Sequence, residues 1–119
     1  GCLYCQGHMA NLSHVYEVDD EKINAVWECE TSDLFSPAER AALVLAREAA
    51  VVPNTVESKH FDALKEHFSE AEIVEIVGTI ALFGYLNRWN DTMATTMEAH
   101  PATVAAQAMP AWNAGKHGS

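Results

Sequence analysis

This sequence predicts an all-α fold, and three observations carry that prediction. Apolar residues recur with the 3.6-residue helical period along most of its 119 residues. Helix-start signals stand at Ser36-Pro37-Ala38-Glu39 and Ser69-Glu70-Ala71-Glu72. No segment alternates at period two, as a half-buried strand would.

The elements follow in order. Residues 3–16 form the first expected helix, with Leu12 and Val15 extending its apolar side. Asp19-Asp20-Glu21 opens a second over 21–30, because acidic residues suit a helix N-terminus; Ile23, Val26 and Trp27 are its apolar stripe. The capping Ser36, with Pro37 and Glu39 behind it, starts an Ala-rich third helix that runs to 52 and ends at Pro53-Asn54. Residues 57–68 make the fourth, with Phe61, Leu64 and Phe68 inward. The Ser69 capping box opens a long fifth helix to about 97, on whose inner face Ile73, Ile76, Val77, Ile80, Phe83 and Gly84 fall. His100-Pro101 is expected to break it. Residues 1–101 are thus the helical domain, and 102–119 a short helix and a fraying tail.

A chain of this length suggests one domain with a single core. Asp and Glu outnumber Lys and Arg by 17 to 7, a net charge of −10, which argues against nucleic acid as a partner. The most apolar run, 73–86, is short and contains Glu75, so it reads as a core helix and no membrane association is expected. No segment reads as a signal peptide. Three cysteines, two of them a CxxC pair, fit a cytoplasmic protein with a catalytic or metal-binding pair better than a disulfide framework. A start at Gly1 in place of Met suggests a processed or partial chain.

Almost all the recognisable chemistry lies in Cys2-Leu3-Tyr4-Cys5-Gln6-Gly7-His8. Residues three apart share a helical face, so the two thiols can close a disulfide within one turn and His8 can exchange a proton one turn on. A helix N-terminus favours a thiolate of lowered pKa, which attacks a peroxide or disulfide while the second thiol resolves the intermediate. The competing reading places zinc on Cys2, Cys5 and His8, with Cys29 or His14 as fourth ligand, in a non-catalytic binding protein. The absence of a second CxxC or an HxxxH pair weighs against it, and no metal is assigned to the site. Haem attachment requires His directly after the second Cys, where Gln6 stands. Cys29, flanked by carboxylates, reads as structural; His14, His60 and His67 read as surface residues.

A second polar cluster, Asn87-Arg88-Trp89-Asn90-Asp91, interrupts the long apolar helix. One reading is an Arg88–Asp91 ion pair with Trp89 in the core. The other brings Asn87 or Asn90 to the thiols, with Arg88 and Asp91 in support.

Cys2 to His8, together with Phe83-Gly84-Tyr85-Leu86-Asn87-Arg88-Trp89-Asn90-Asp91, resembles the carboxymuconolactone decarboxylase-like superfamily in its AhpD-like alkylhydroperoxidase branch, over residues 1–98. The resemblance implies an AhpD-like helical bundle assembled as a homo-oligomer, trimer or hexamer, and thiol-dependent reduction of hydroperoxides. It implies Cys5 as peroxidatic thiol, Cys2 as resolving thiol and His8 in a proton relay. The redox-active Cys2–Cys5 disulfide is then the sole redox group, regenerated by an external dithiol donor. The family relay normally draws a Glu from a helix upstream of the first Cys, so the chain reads as the C-terminal part of a longer protein. A decarboxylase-like enzyme that does not use the thiols is the alternative within the superfamily.

Overall fold

The structure, a computed structural model, describes residues 1–118. Among the described residues there are six α-helices, two short 3-10 turns and no strand, so the all-α expectation holds. The single core expected of this length does not. The chain gathers into two compact units, each with its own cluster of buried side chains.

The first unit takes residues 1–25 and the residues from 85 onward. It contains α1 (Leu3–Val15), α2 (Asp20–Asn24), the end of α5 (Glu70–Met93), α6 (Ala99–Ala108) and a 3-10 turn at Gly115–His117. Small residues let α1 lie close against α6: Ala10, Ala105 and Ala108 are all buried, joined by Ile23 from α2. Val18, Met109 and Trp112 pack around this cluster, and the Trp112 indole N–H donates to the Leu3 carbonyl at 3.2 Å.

Two sequence expectations fail here for identifiable reasons. His100-Pro101 does not break a helix; it lies in the first turn of α6, where a proline's lack of an N–H costs nothing. The residues after α6 do not behave as a loose tail, because His117 is only 1% exposed and its carbonyl accepts the Met97 N–H at 2.8 Å. Ser119 lies outside the described residues.

The second unit, Val26–Gly84, holds a 3-10 turn at Val26–Glu28, then α3 (Pro37–Ala50), α4 (Ser58–Lys65) and most of α5. Leu45, Leu64 and Ile73 form its core. The expected helix over 21–30 stops at Asn24, and the Arg40 guanidinium donates to the carbonyls of Cys29, Ser32 and Phe35 at 2.7 to 3.2 Å. The capping box at Ser36 is present in both directions: Glu39 N–H donates to Ser36 Oγ at 3.2 Å and Ser36 N–H to Glu39 Oε2 at 2.9 Å. His60 is no idle surface residue, since its Nδ1 accepts the Glu57 N–H at 2.9 Å and so caps α4.

Helix α5 is less buried than its apolar run suggests. Ile73 is buried, Ile76, Ile80 and Phe83 are half-buried, and Val77 and Trp89 are exposed. Trp89 is thus not the core residue of the ion-pair reading. Among the described residues no helix is long and apolar enough to cross a membrane.

Gly7 sets the spacing of the first unit. A Cβ there would stand 2.7 Å from Met97 Cε and 2.9 Å from Trp112 Cζ2. The methionine end can swing away, but the indole is tied to Leu3. Gly7→Ala is therefore expected to destabilise the protein by about 1–3 kcal/mol through overpacking, measurable as a lower midpoint in urea denaturation followed by far-UV circular dichroism.

Candidate active site

Both thiols sit at the start of α1. Cys2 is the N-cap, in extended conformation, and its Sγ accepts the Cys5 N–H at 3.4 Å. Cys5 lies in the first turn, which carries no acidic side chain. Both side chains are buried and both thiols are free.

The electrostatics of Cys5 differ from the sequence expectation. Burial, and then the neighbouring Cys2 thiol, push the Cys5 thiol up to about 12, in place of the lowered value expected at a helix N-terminus. The amide of Asn90 acts in the opposite sense: its Nδ2 lies 3.9 Å from Cys5 Sγ as a weak donor that favours the thiolate. That amide is held in place, since Nδ2 also donates to the Leu86 carbonyl at 3.0 Å and Oδ1 accepts the Thr95 hydroxyl at 2.9 Å. The resting site thus holds a protonated Cys5 thiol backed by an oriented amide.

His8, one turn along α1, is paired through Nε2 with Glu98 Oε2 at 2.8 Å. Glu98 is the N-cap residue of α6, and its other oxygen accepts the Tyr4 hydroxyl at 3.2 Å. The hydrogen bond from His8 holds the Glu98 carboxyl below the ordinary carboxylate range, with backbone and Tyr4 donors adding to it. Burial first, then the charge on Glu98, raise the Tyr4 phenol. The Tyr4 ring lies 4.4 Å from the His8 ring and 5.8 Å from that of His117.

Four residues of the polar cluster on α5 were candidates for support. Asn90 reaches the thiols as described. Asp91 holds Lys116, with Oδ2 at 2.9 Å from Nζ, and this ion pair keeps the Asp91 carboxyl below its usual range; its charge also acts on Cys5, raising the thiol further. Asn87 is half-buried and Arg88 exposed on the same helix. His14 pairs with Asp20 at 3.3 Å on the exposed side of its unit.

Sequence reasoning missed Glu98, Tyr4, Thr95, Lys116 and His117. Tyr4 lay inside the motif and was readable as a third polar group on α1. The others arrive through folding: Glu98 is 90 residues from His8, and His117 is 22 from Thr95. The flanking Gly115 and Gly118 made His117 read as part of a tail.

No family model matches the chain. The structure is similar to two crystal structures of the debrominase Bmp8. One is of a variant with a cysteine replaced by alanine, in complex with 2,3,4-tribromopyrrole (36% identity, TM-score 0.82), and one is the apo form (37% identity, TM-score 0.81). Each match covers 91% of this chain and 58% of Bmp8. The sequence is also similar to the uncharacterised protein YdfG of Bacillus subtilis (strain 168), 26% identical over 92 residues, which are 76% of this chain and 60% of YdfG. The chain therefore spans roughly three fifths of the length of the proteins it matches. It shares its fold, and more than a third of its aligned residues, with an enzyme.

Two outcomes follow for Cys5. Alkylation at Cys5, resolved from Cys2 by tandem mass spectrometry, is expected to climb about tenfold per pH unit from pH 7 to 10, with no plateau near pH 8.5 where an ordinary thiol levels off. Asn90→Ala removes one weak hydrogen bond to the thiolate, worth about 1 kcal/mol, and is expected to slow that alkylation roughly fivefold at a fixed pH.

Proposed function

We propose that this chain carries the dithiol of a two-electron reductase, with Cys2 and Cys5 as the redox pair and a hydroperoxide as the first substrate class. The observation that carries the reading is the pairing of two free thiols in one helical turn, with the Cys5 N–H on Cys2 Sγ, the Asn90 amide on Cys5 Sγ and a His8–Glu98 pair one turn away.

In the proposed cycle Cys5 sulfur attacks the distal oxygen of the hydroperoxide. The O–O bond breaks, the alcohol leaves with a proton, and Cys5 becomes a sulfenic acid. Cys2 sulfur then attacks Cys5 sulfur, releasing water and forming the Cys2–Cys5 disulfide. An external dithiol reduces that disulfide back to two thiols. His8 supplies and takes up protons, and Glu98 holds its ring and balances its charge. Glu98 thereby fills the place of the relay carboxylate that the AhpD-like resemblance assigns to an upstream helix. Because Cys5 rests protonated, the dithiol is poised as a reductant that reacts when a base removes its proton.

The similarity to Bmp8 favours a second substrate class, a brominated pyrrole or related haloarene. The balance is again two electrons: the C–Br bond breaks, carbon gains hydrogen, bromide leaves with a proton, and the two thiols become a disulfide. Both readings place the chain in a reducing compartment, the cytoplasm. The exposed apolar side chains Val74, Val77, Leu82, Tyr85, Trp89 and Met93 of α5 favour association with further copies.

The test uses reduced protein with dihydrolipoamide as donor and either cumene hydroperoxide or a tribromopyrrole as oxidant. Cys5→Ser is expected to lower turnover by about 10³-fold or more. Cys2→Ser is expected to stop after one turnover, leaving a dimedone-reactive sulfenic acid in the hydroperoxide arm. Alcohol formation selects the first substrate class and bromide release the second. Wild-type turnover by Cys5→Ser sinks the reading.

A further inference from the structure

We propose that Cys2, Asp91 and His117 form a binding site for a divalent, borderline-soft cation of the Zn²⁺ type. Cys2 Sγ, a carboxylate oxygen of Asp91 and a ring nitrogen of His117 all lie within 4.8 Å of one another. These are not the ligands that the sequence suggests for zinc, since only Cys2 is shared.

The unpartnered nitrogen of His117 is what points to a ligand. The side chain is fully buried, yet Nε2 makes no hydrogen bond. Nδ1 lies 2.9 Å from the Thr95 carbonyl, which can only accept, so Nδ1 carries a hydrogen and Nε2 is the ring nitrogen turned towards Asp91. Asp91 Oδ1 stands 3.5 Å from Nε2, at the limit of hydrogen-bond distance. Two ligands of a tetrahedral zinc, each about 2.1 Å from the metal, are about 3.4 Å apart. The separation therefore suits a shared cation.

The surroundings are those of a metal site. The Thr95 carbonyl fixes the ring tautomer and Lys116 occupies Asp91 Oδ2, leaving Oδ1 for a metal. The Cys5 N–H, 3.4 Å from Cys2 Sγ, holds that sulfur in place at the start of α1. A thiolate, an imidazole and a carboxylate together suit Zn²⁺ and disfavour Mg²⁺ and Ca²⁺, which take all-oxygen sets. Asp91 is 47% exposed and offers an entry path. Binding replaces the Cys2 thiol proton with a Zn–S bond and leaves a fourth position open. On the dithiol reading above, a zinc-bound Cys2 no longer closes the disulfide, so the ion silences the pair.

The experiment titrates the reduced full chain with Zn²⁺ under anaerobic conditions against a chromophoric chelator. Wild type is expected to hold one equivalent, His117→Ala to weaken binding by about 100-fold, and Cys5→Ser to stay within about threefold of wild type. Because His117 is buried, Asp91→Asn at a half-exposed position repeats the test without emptying the interior. It is expected to weaken binding by about tenfold or more. Substituted Co²⁺ is expected to give a charge-transfer band with the intensity of one thiolate. Unchanged binding in both His117→Ala and Asp91→Asn overturns the site. So does a two-thiolate band together with loss of binding in Cys5→Ser, which would put the metal on the CxxC pair. Loss of the site leaves dithiol turnover in zinc-free protein intact, whereas zinc binding without any dithiol turnover would sink only the function proposed above.

Discussion

The close packing of α1 on the C-terminal segment is the constraint on which the rest of the first unit depends. At Gly7 the helix backbone comes within side-chain contact of Met97 and Trp112, and no larger residue leaves room for that approach. Ala10, Ala105 and Ala108 keep the same spacing farther along. Because the thiols, Tyr4 and His8 ride on the same helix, this approach also brings them to residues 90–98 and 112–117. The packing that stabilises the unit and the geometry that builds the site are one arrangement.

The turn after α5 makes that arrangement possible. Ala94 takes a left-handed conformation with φ of 49°, and the Thr95 N–H returns to the Asn90 carbonyl at 3.2 Å. This is the helix-ending geometry in which glycine usually serves. It reverses the chain so that the Thr95 hydroxyl orients the Asn90 amide, its carbonyl orients His117, and Glu98 reaches His8 three residues later. A single turn thus positions groups on both sides of the dithiol.

Those groups fall into two sets with Tyr4 between them. On one side the Glu98 carboxylate is shared by His8 and Tyr4; on the other, Asp91 holds Lys116 through Oδ2 and faces His117 Nε2 with Oδ1 at 3.5 Å. Burial, then the Cys2 thiol beside it and the charge on Asp91, keep the Cys5 proton in place.

The sequence by itself determined what depends on near neighbours. The capping boxes at Ser36 and Ser69, the helical period and the i,i+3 spacing of Cys2, Cys5 and His8 are all settled within a turn or two, and they made the all-α fold and the dithiol legible. Helix ends were less legible: the break expected at His100-Pro101 became a helix start because proline is tolerated in a first turn. What only the tertiary structure decided lies beyond local reach. The partition into two cores, the raised pKa of Cys5, the pairing of His8 with Glu98 and the burial of His117 each depend on loop closure and desolvation. Those follow from which surfaces meet, and local spacing cannot specify them.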